Sequence, residues 1–321
     1  MDWVFYIILF LGSGALLYIA GEWLVNGLMK LSRFLGWREF VVAFIIMAAA
    51  ASIPNLFVGV NSALKGIPEL SFGDVMGNNI AALTIAVAIA VLFTPKGEIP
   101  AQSRTVQASS LFTMVATILP LVLISDGFLS RGDGAILIAT FLFYAYWLFI
   151  KKERFTRVYD NSEKIVALKI VLADVLKIGL GLLMLILASE GIVRSASFFA
   201  SGLGVSLTLI GILIVGIGNS LPEVYFAAVS ARRGETWMIL GNLMGAVVIP
   251  ATLVLGIIAI IHPIPVVNFS LAAISRFYLA LAAIFFFSFT RSGLTIKKHE
   301  AWLLLFLFLA FVLSVILTAG Y

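Results

Sequence analysis

The sequence predicts an all-α membrane protein of ten transmembrane helices, built as two inverted five-helix repeats in which helices 2 and 7 are broken. Three observations predict it. The 321 residues are 62% hydrophobic and only 12% charged, where soluble domains carry roughly a quarter charged residues. Apolar stretches of about 20 residues, long enough to cross a hydrocarbon core, recur along the whole chain and leave no room for a soluble domain. Sliding the chain by 168 residues, without a gap, lays its second half on its first.

Ten apolar segments can be drawn, at 3–27, 39–64, 70–94, 105–125, 132–150, 167–194, 206–231, 237–261, 273–290 and 300–319. The segment from Val4 to Ala20 lacks a basic run ahead of it, so it reads as a retained helix and not as a signal peptide. Connections are short. The longest is the charged run Lys151 to Lys164, which divides the chain into a first repeat, 1–155, and a second, 156–321. Sixteen Lys and Arg fall in loops one, three, five, seven and nine, and four on the other side. The positive-inside rule therefore puts both termini outside and the charged central loop in the cytoplasm. The chain has no cysteine and a formal charge of +5. That excludes disulfides and thiolate chemistry, and the charge fits loops facing an anionic leaflet better than it fits nucleic acid.

The shift of 168 matches Gly36 with Gly204, Ser52 with Ser220, Pro54 with Pro222, Gly66 with Gly234 and Gly73 with Gly241. It continues through Met76 with Met244, Gly77 with Gly245 and Pro95 with Pro263, and Glu22 falls on Glu190. Each copy holds an odd number of spans, so the second inserts upside down relative to the first. Inverted repeats with broken helices mark a secondary transporter whose site lies at mid-membrane between the copies.

Glu223 is the acid that points to the site. It sits inside a long apolar run broken by Gly216, Gly218 and Pro222. An ionisable group at that depth costs about 2.5–3.5 kcal/mol and is seldom kept without a polar partner or a watery cavity. Repeat one supplies AAAASIPNLFVG, with Ser52, Pro54 and Asn55, and then GDVMGNNIAALT. Repeat two supplies GIGNSLPEVYFA, with Asn219, Ser220 and Pro222, and then GNLMGAVVIP. Residues four apart share a helix face, so Asp74, Asn78 and Ala82 form one stripe and Asn242, Ala246 and Pro250 its counterpart. Each proline removes a backbone donor, which frees carbonyls near Met47 to Ala51 and Val215 to Asn219. Carboxylate, amide, hydroxyl and carbonyl oxygens suit hard cations such as Na⁺, Ca²⁺ or Mg²⁺.

On these residues the chain resembles the cation/calcium antiporter superfamily, the sodium/calcium exchangers and their prokaryotic relatives. The resemblance covers the whole chain in topology, and 36–95 with 204–263 in motif. It implies alternating-access exchange of a cation against Na⁺ or H⁺ in a prokaryotic plasma membrane. The transported ions are then Na⁺, Ca²⁺ or H⁺, with no other cofactor. The family's two glutamates fall on Asn55 and Glu223. Its hydroxyl and amide ligands fall on Ala51 and Ser52, Asn219 and Ser220, Asn78 and Ala82, and Ala246 and Pro250. Glu223, Asn55, Ser52, Ser220, Asn219, Asn78, Asp74 and Asn242 are thus the candidate ion ligands.

The departures cut both ways. Asn55 replaces one glutamate, and Ala82, Ala246 and Pro250 offer no side-chain ligand. Asp74 stands where the family has an amide, and two readings of it remain open. It can restore a second carboxylate at a shifted position, or serve as a solvated helix-start acid near the outer end of its helix. With one acid alone the site would suit a monovalent ion or a proton, since a buried carboxyl is a natural proton carrier. Glu22 and Glu190 read as structural or entrance groups near helix ends, and Asp174 and Lys177 as a pair. Two other classes compete. An intramembrane enzyme is disfavoured because both histidines, His262 and His299, fall in loops and no HExxH occurs. A degenerate homologue would keep the scaffold for binding or sensing without coupled transport. Inorganic cations and the bilayer are the expected partners, and no signal sets the oligomeric state.

Overall fold

A computed structural model describes residues 2–34, 39–150, 168–234, 236–266 and 269–319. Among the described residues ten helical rods follow one another: α1 (Asp2–Phe34), α2 (Glu39–Leu64), α3 (Pro68–Phe93), α4 (Arg104–Leu123) and α5 (Arg131–Ile150). Then come α6 (Leu168–Leu203), α7 (Leu207–Arg232), α8 (Thr236–Ile249 continuing through Pro250–Val254 to Leu255–Ile261), α9 (Phe269–Arg291) and α10 (Lys298–Ala319). Among the described residues, eight helices are long and apolar enough to cross a membrane.

Local sequence sets the ends. Gly66 and Gly204 adopt left-handed φ angles of 72° and 67° just past α2 and α6. There the amides of Ile67 and Val205 close onto the carbonyls of Ser62 and Ala200, a cap that only a residue free of Cβ strain makes cheaply. Ser130 and Asp133 cap α5 reciprocally: the Asp133 amide donates to Ser130 Oγ at 3.1 Å, and the Ser130 amide to Asp133 Oδ2 at 2.8 Å. The strong stop at Gly204 also lets α6 run to Leu203, beyond its apolar stretch.

Helix 2 departs from the expectation that both proline-bearing helices break. α2 is continuous from Glu39 to Leu64 with Pro54 inside it. α7 is interrupted: its first part ends at Asn219, Ser220 forms a turn, and a second part runs Leu221–Arg232. The repeat partners of Gly216 and Gly218 explain the difference. They are Ala48 and Ala50, in a run of four alanines. Alanine favours helix over glycine by about 1 kcal/mol per residue, which keeps α2 intact around its proline.

Three pieces of geometry follow the 168-residue shift. π turns occur at Ala82–Ala86 in α3 and at Pro250–Val254 in α8. In both, a threonine hydroxyl back-bonds four residues up the helix, Thr84 to Ile80 and Thr252 to Val248. Packing pairs α1 with α6 and α4 with α9, while α3 packs on α7 and α8 on α2. Two short antiparallel strand pairs staple the loops of one half to the other. β1 (Glu98–Pro100) joins β4 (Thr295–Lys297), and β2 (Phe128–Leu129) joins β3 (Ile264–Pro265).

α3 and α8 form the buried centre, while α1, α6 and α10 present rows of exposed side chains such as Phe5, Ile8, Leu183, Leu187, Phe306 and Leu309. Such faces are incompatible with water at this extent and suit lipid. Glycines let α3 and α7 touch backbone to backbone. A Cβ at Gly73 or Gly77 would overlap the carbonyls of Thr208 or Ile212, and one at Gly216 would lie 2.5 Å from the Asp74 carbonyl. Close approach of this kind is the usual work of small residues between membrane helices.

Glu190 on α6 ties that helix to the end of α2. Its carboxylate accepts from Lys65 Nζ at 2.7 Å, from Asn61 Nδ2 at 3.1 Å, and from Arg194 one turn along. These contacts fit a structural role and leave the entrance role open. Glu22 and Asp174 lie outside the residues whose side chains are described, and Lys177 is exposed. The Lys65–Glu190 pair is about one-third exposed on each side, so Lys65→Met should cost at most about 1 kcal/mol. A thermal melt in detergent shifted by more than a few degrees would show that the tie bears more than a surface ion pair.

Candidate functional site

The interruption of α7 falls near the middle of its 26 residues. Pro222 has no amide to give, and Ser220 satisfies the local backbone by donating its hydroxyl to the Ile217 carbonyl at 2.7 Å. A new helix start therefore lies at the centre of the fold, with Glu223 in its first turn. Helix starts favour negative charge through their unpaired amides and the helix dipole. Glu223 is 5% exposed, and its Oε2 has no partner among the described residues.

Asn219, the last residue before the turn, reaches across to the other half. Its Nδ2 donates to Asn55 Oδ1 on α2 at 3.0 Å and to Asp74 Oδ1 on α3 at 2.9 Å. Asp74 is fully buried. That removes the solvated helix-start reading. The second turn of α3 is sunk against α7 by the glycine contacts and does not emerge at a helix end. Asp74 Oδ2 is unpartnered, and the Asp74 carboxylate lies within electrostatic reach of Glu223.

One turn further along α3, Asn78 donates to the Ala246 carbonyl at 3.3 Å and to Asn79 Oδ1 at 3.4 Å, which leaves its own Oδ1 free. Pro250 accounts for the first of these bonds. It cannot donate to the carbonyl four residues back, so Ala246 is left accepting, and Asn78 takes its place. A position that offers no side-chain ligand thus still shapes the site through the backbone.

Of the predicted residues, Asn55, Asp74 and Asn219 are hydrogen-bonded together, and Glu223 and Asn78 add unpartnered oxygens to the same buried centre. Ser52 and Ser220 are buried, at 3% and 1% exposure. Asn242 is half-buried on α8, and among the described residues no hydrogen bond joins it to the network. Asn79 escaped the sequence reading because helical spacing puts it off the Asp74–Asn78 stripe. It is buried, accepts from Asn78, and keeps an unpartnered Nδ2. Among the described residues no three His, Cys, Asp or Glu side chains cluster. The centre instead offers two carboxylates with amide and hydroxyl oxygens, a donor set for a hard cation.

The chain matches the family described as Sodium/calcium exchanger protein over residues 5–150 and again over 174–317. It belongs to that family. Relatives by sequence include the sodium/calcium exchanger MaX1 of Methanosarcina acetivorans, 24% identical and aligned over 96% of this chain and 97% of that one. The inner membrane protein YrbG of Escherichia coli is 26% identical over 261 residues, 78% of each chain. Among solved structures, the sodium-calcium exchanger NCX_Mj soaked with Na⁺ and Sr²⁺ superposes with a TM-score of 0.66 at 22% identity. It covers 97% of this chain and 99% of that one, a likeness of fold. The protein is an integral membrane protein of a cation antiporter family.

Proposed function

We propose that this protein is a secondary active antiporter that exchanges a divalent cation such as Ca²⁺ for Na⁺ or H⁺ by alternating access. Its ions would bind between Asp74 and Glu223, with Asn55, Asn78, Asn219, Ser52 and Ser220 completing the shell and Asn242 at its edge. The observation that carries the reading is the pair of buried carboxylates, Asp74 from one half and Glu223 from the other. Each keeps an oxygen that no group among the described residues satisfies. A buried carboxylate without a partner is costly, and a bound cation removes that cost.

The transport cycle follows from ten transmembrane helices in two inverted repeats, 1–155 and 156–321, with both termini outside a prokaryotic plasma membrane. The repeat-swapped packing supports this arrangement. So does the bond from Asn78 to Ala246, because residues 168 apart are repeat mates. A residue that touches its own mate lies where an axis relating the copies would pass. Asn55 with Glu223, and Asp74 with Asn242, then form two mate pairs, each holding one acid and one amide. The acid missing at Asn55 reappears at Asp74, and the number of carboxylates is kept at two.

Radiolabelled Ca²⁺ uptake into proteoliposomes holding the purified protein tests the reading. Uptake should depend on an outward Na⁺ or H⁺ gradient, and Glu223→Gln should abolish it. No uptake under either gradient would leave only a scaffold that binds or senses ions.

A further inference from the structure

The two strand pairs occupy corresponding places in the two halves. The shift of 168 carries the loop holding β1 onto the loop holding β3, and the loop holding β4 onto the loop holding β2. Each ribbon buries one residue from each strand, Ile99 with Ile296 and Leu129 with Ile264, all at 0% exposure. They differ in what they show outward. At the first ribbon Lys96, Arg104, Arg291, Lys297 and Lys298 are exposed. Their repeat mates are Ile264, Ala272, Leu123, Leu129 and Ser130. The second ribbon folds with these uncharged residues, so building such a ribbon does not require the five cations.

Pairing does not account for them either. Among the described residues the ion pairs belong to Glu190 alone. Only two acids, Glu98 and Glu300, lie in the same loops. Glu300 is buried and accepts from the Lys297 amide at 2.7 Å. Two of the cations are held in place. The stem of Lys298 lies across Gly97, where a Cβ would overlap it, and Arg291 reaches the Gln107 carbonyl at 3.4 Å. Leu294 stands in the same loop, 42% exposed. It is the one residue other than glycine with a positive φ, 58°, among the described residues. A leucine in this conformation is strained, and burial inside the protein does not compensate it.

The ribbon joins the ends of α3 and α4 to those of α9 and α10, at the level of the lipid headgroups, on the side that the positive-inside rule makes cytoplasmic. We propose that it is a binding site for an anionic phospholipid, with the phosphate held by Arg291, Lys297 and Lys298 and an acyl chain lying against Leu294. Charge complementarity selects the headgroup, and the exposed leucine favours a ligand that brings hydrocarbon with its charge. A lipid seated there would clasp the loop of one half to the loop of the other.

The test titrates the full chain in dodecyl maltoside with phosphatidylglycerol, or with phosphatidylcholine of the same acyl chains, and counts bound lipid by native mass spectrometry. Wild type should prefer phosphatidylglycerol. Each basic side chain at a membrane surface is worth about fivefold in affinity, so the triple variant Arg291→Gln, Lys297→Gln, Lys298→Gln should lose roughly 100-fold. If that variant does not fold, Lys298→Gln alone decides, with a loss of about fivefold expected. Arg131→Gln, beside the second ribbon, should leave binding unchanged. Leu294→Gly relaxes the left-handed backbone; it should melt no lower than wild type and still bind phosphatidylglycerol several-fold more weakly. Equal binding of the two lipids by wild type overturns the site. So does a preference that survives the lysine and arginine substitutions, the result expected if these cations serve only to orient the chain during insertion. Undiminished binding by Leu294→Gly, or soluble glycerol phosphate binding as tightly as the lipid, overturns the acyl-chain contact.

Discussion

Replacing Asp74 by Asn should weaken divalent-cation binding about as much as replacing Glu223 by Gln. Both changes keep shape and hydrogen-bonding capacity and remove one negative charge. Losing one partner of a buried charge contact costs about 2–5 kcal/mol, which corresponds to at least about 30-fold in affinity. The Asn substitution separates two roles for Asp74. An asparagine there can still accept the bond from Asn219 through its own Oδ1. A residue that only anchored Asn219 would therefore tolerate the change, with Ca²⁺ binding close to wild type by calorimetry. A loss matching that of Glu223→Gln identifies Asp74 as the second charged ligand.

Gly77→Ala should be damaging although it adds a single methyl group. The new Cβ would overlap the Ile212 carbonyl. Backbone cannot rotate away as a side chain can, so α3 and α7 must separate. Overpacking of this kind costs about 1–3 kcal/mol. Separation would also carry Asp74 away from Asn219, across the 2.9 Å bond that joins the two halves. A lower melting temperature in detergent together with weakened Ca²⁺ binding is the expected result. Gly241→Ala is the control: it is the repeat mate of Gly73, yet a Cβ there would meet nothing within 4 Å. Equal effects from the two substitutions would show that helix propensity, and not the contact between α3 and α7, governs the outcome.

The same asymmetry shows why some of the site was legible in the chain and some was not. Glu223 could be found by reading alone, because a charge inside an apolar run broken by Gly and Pro has few explanations at membrane depth. The Ser-x-Pro duplication likewise announced two related segments. Asp74 could not be assigned in this way. Its place in the second turn of α3 is compatible with a wet helix end or a dry centre, and the choice depends on whether α7 covers it. The glycines that let α7 approach were visible; the approach itself was not. Helix 2 erred in the other direction. Pro54 looked equivalent to Pro222, but four alanines outweigh one proline where two glycines do not.

By itself the sequence pointed to a membrane protein resembling the sodium/calcium exchangers, with two related segments and one acid set inside a broken apolar run. Those properties are written in composition, spacing and local chemistry, each of which acts over a few turns of chain. Tertiary structure alone decided that Asp74 joins that centre, that Asn219 bonds to residues of the other half, and that Pro250 frees a carbonyl for Asn78. These depend on contacts between segments more than a hundred residues apart, where the position of one backbone determines what another side chain can reach.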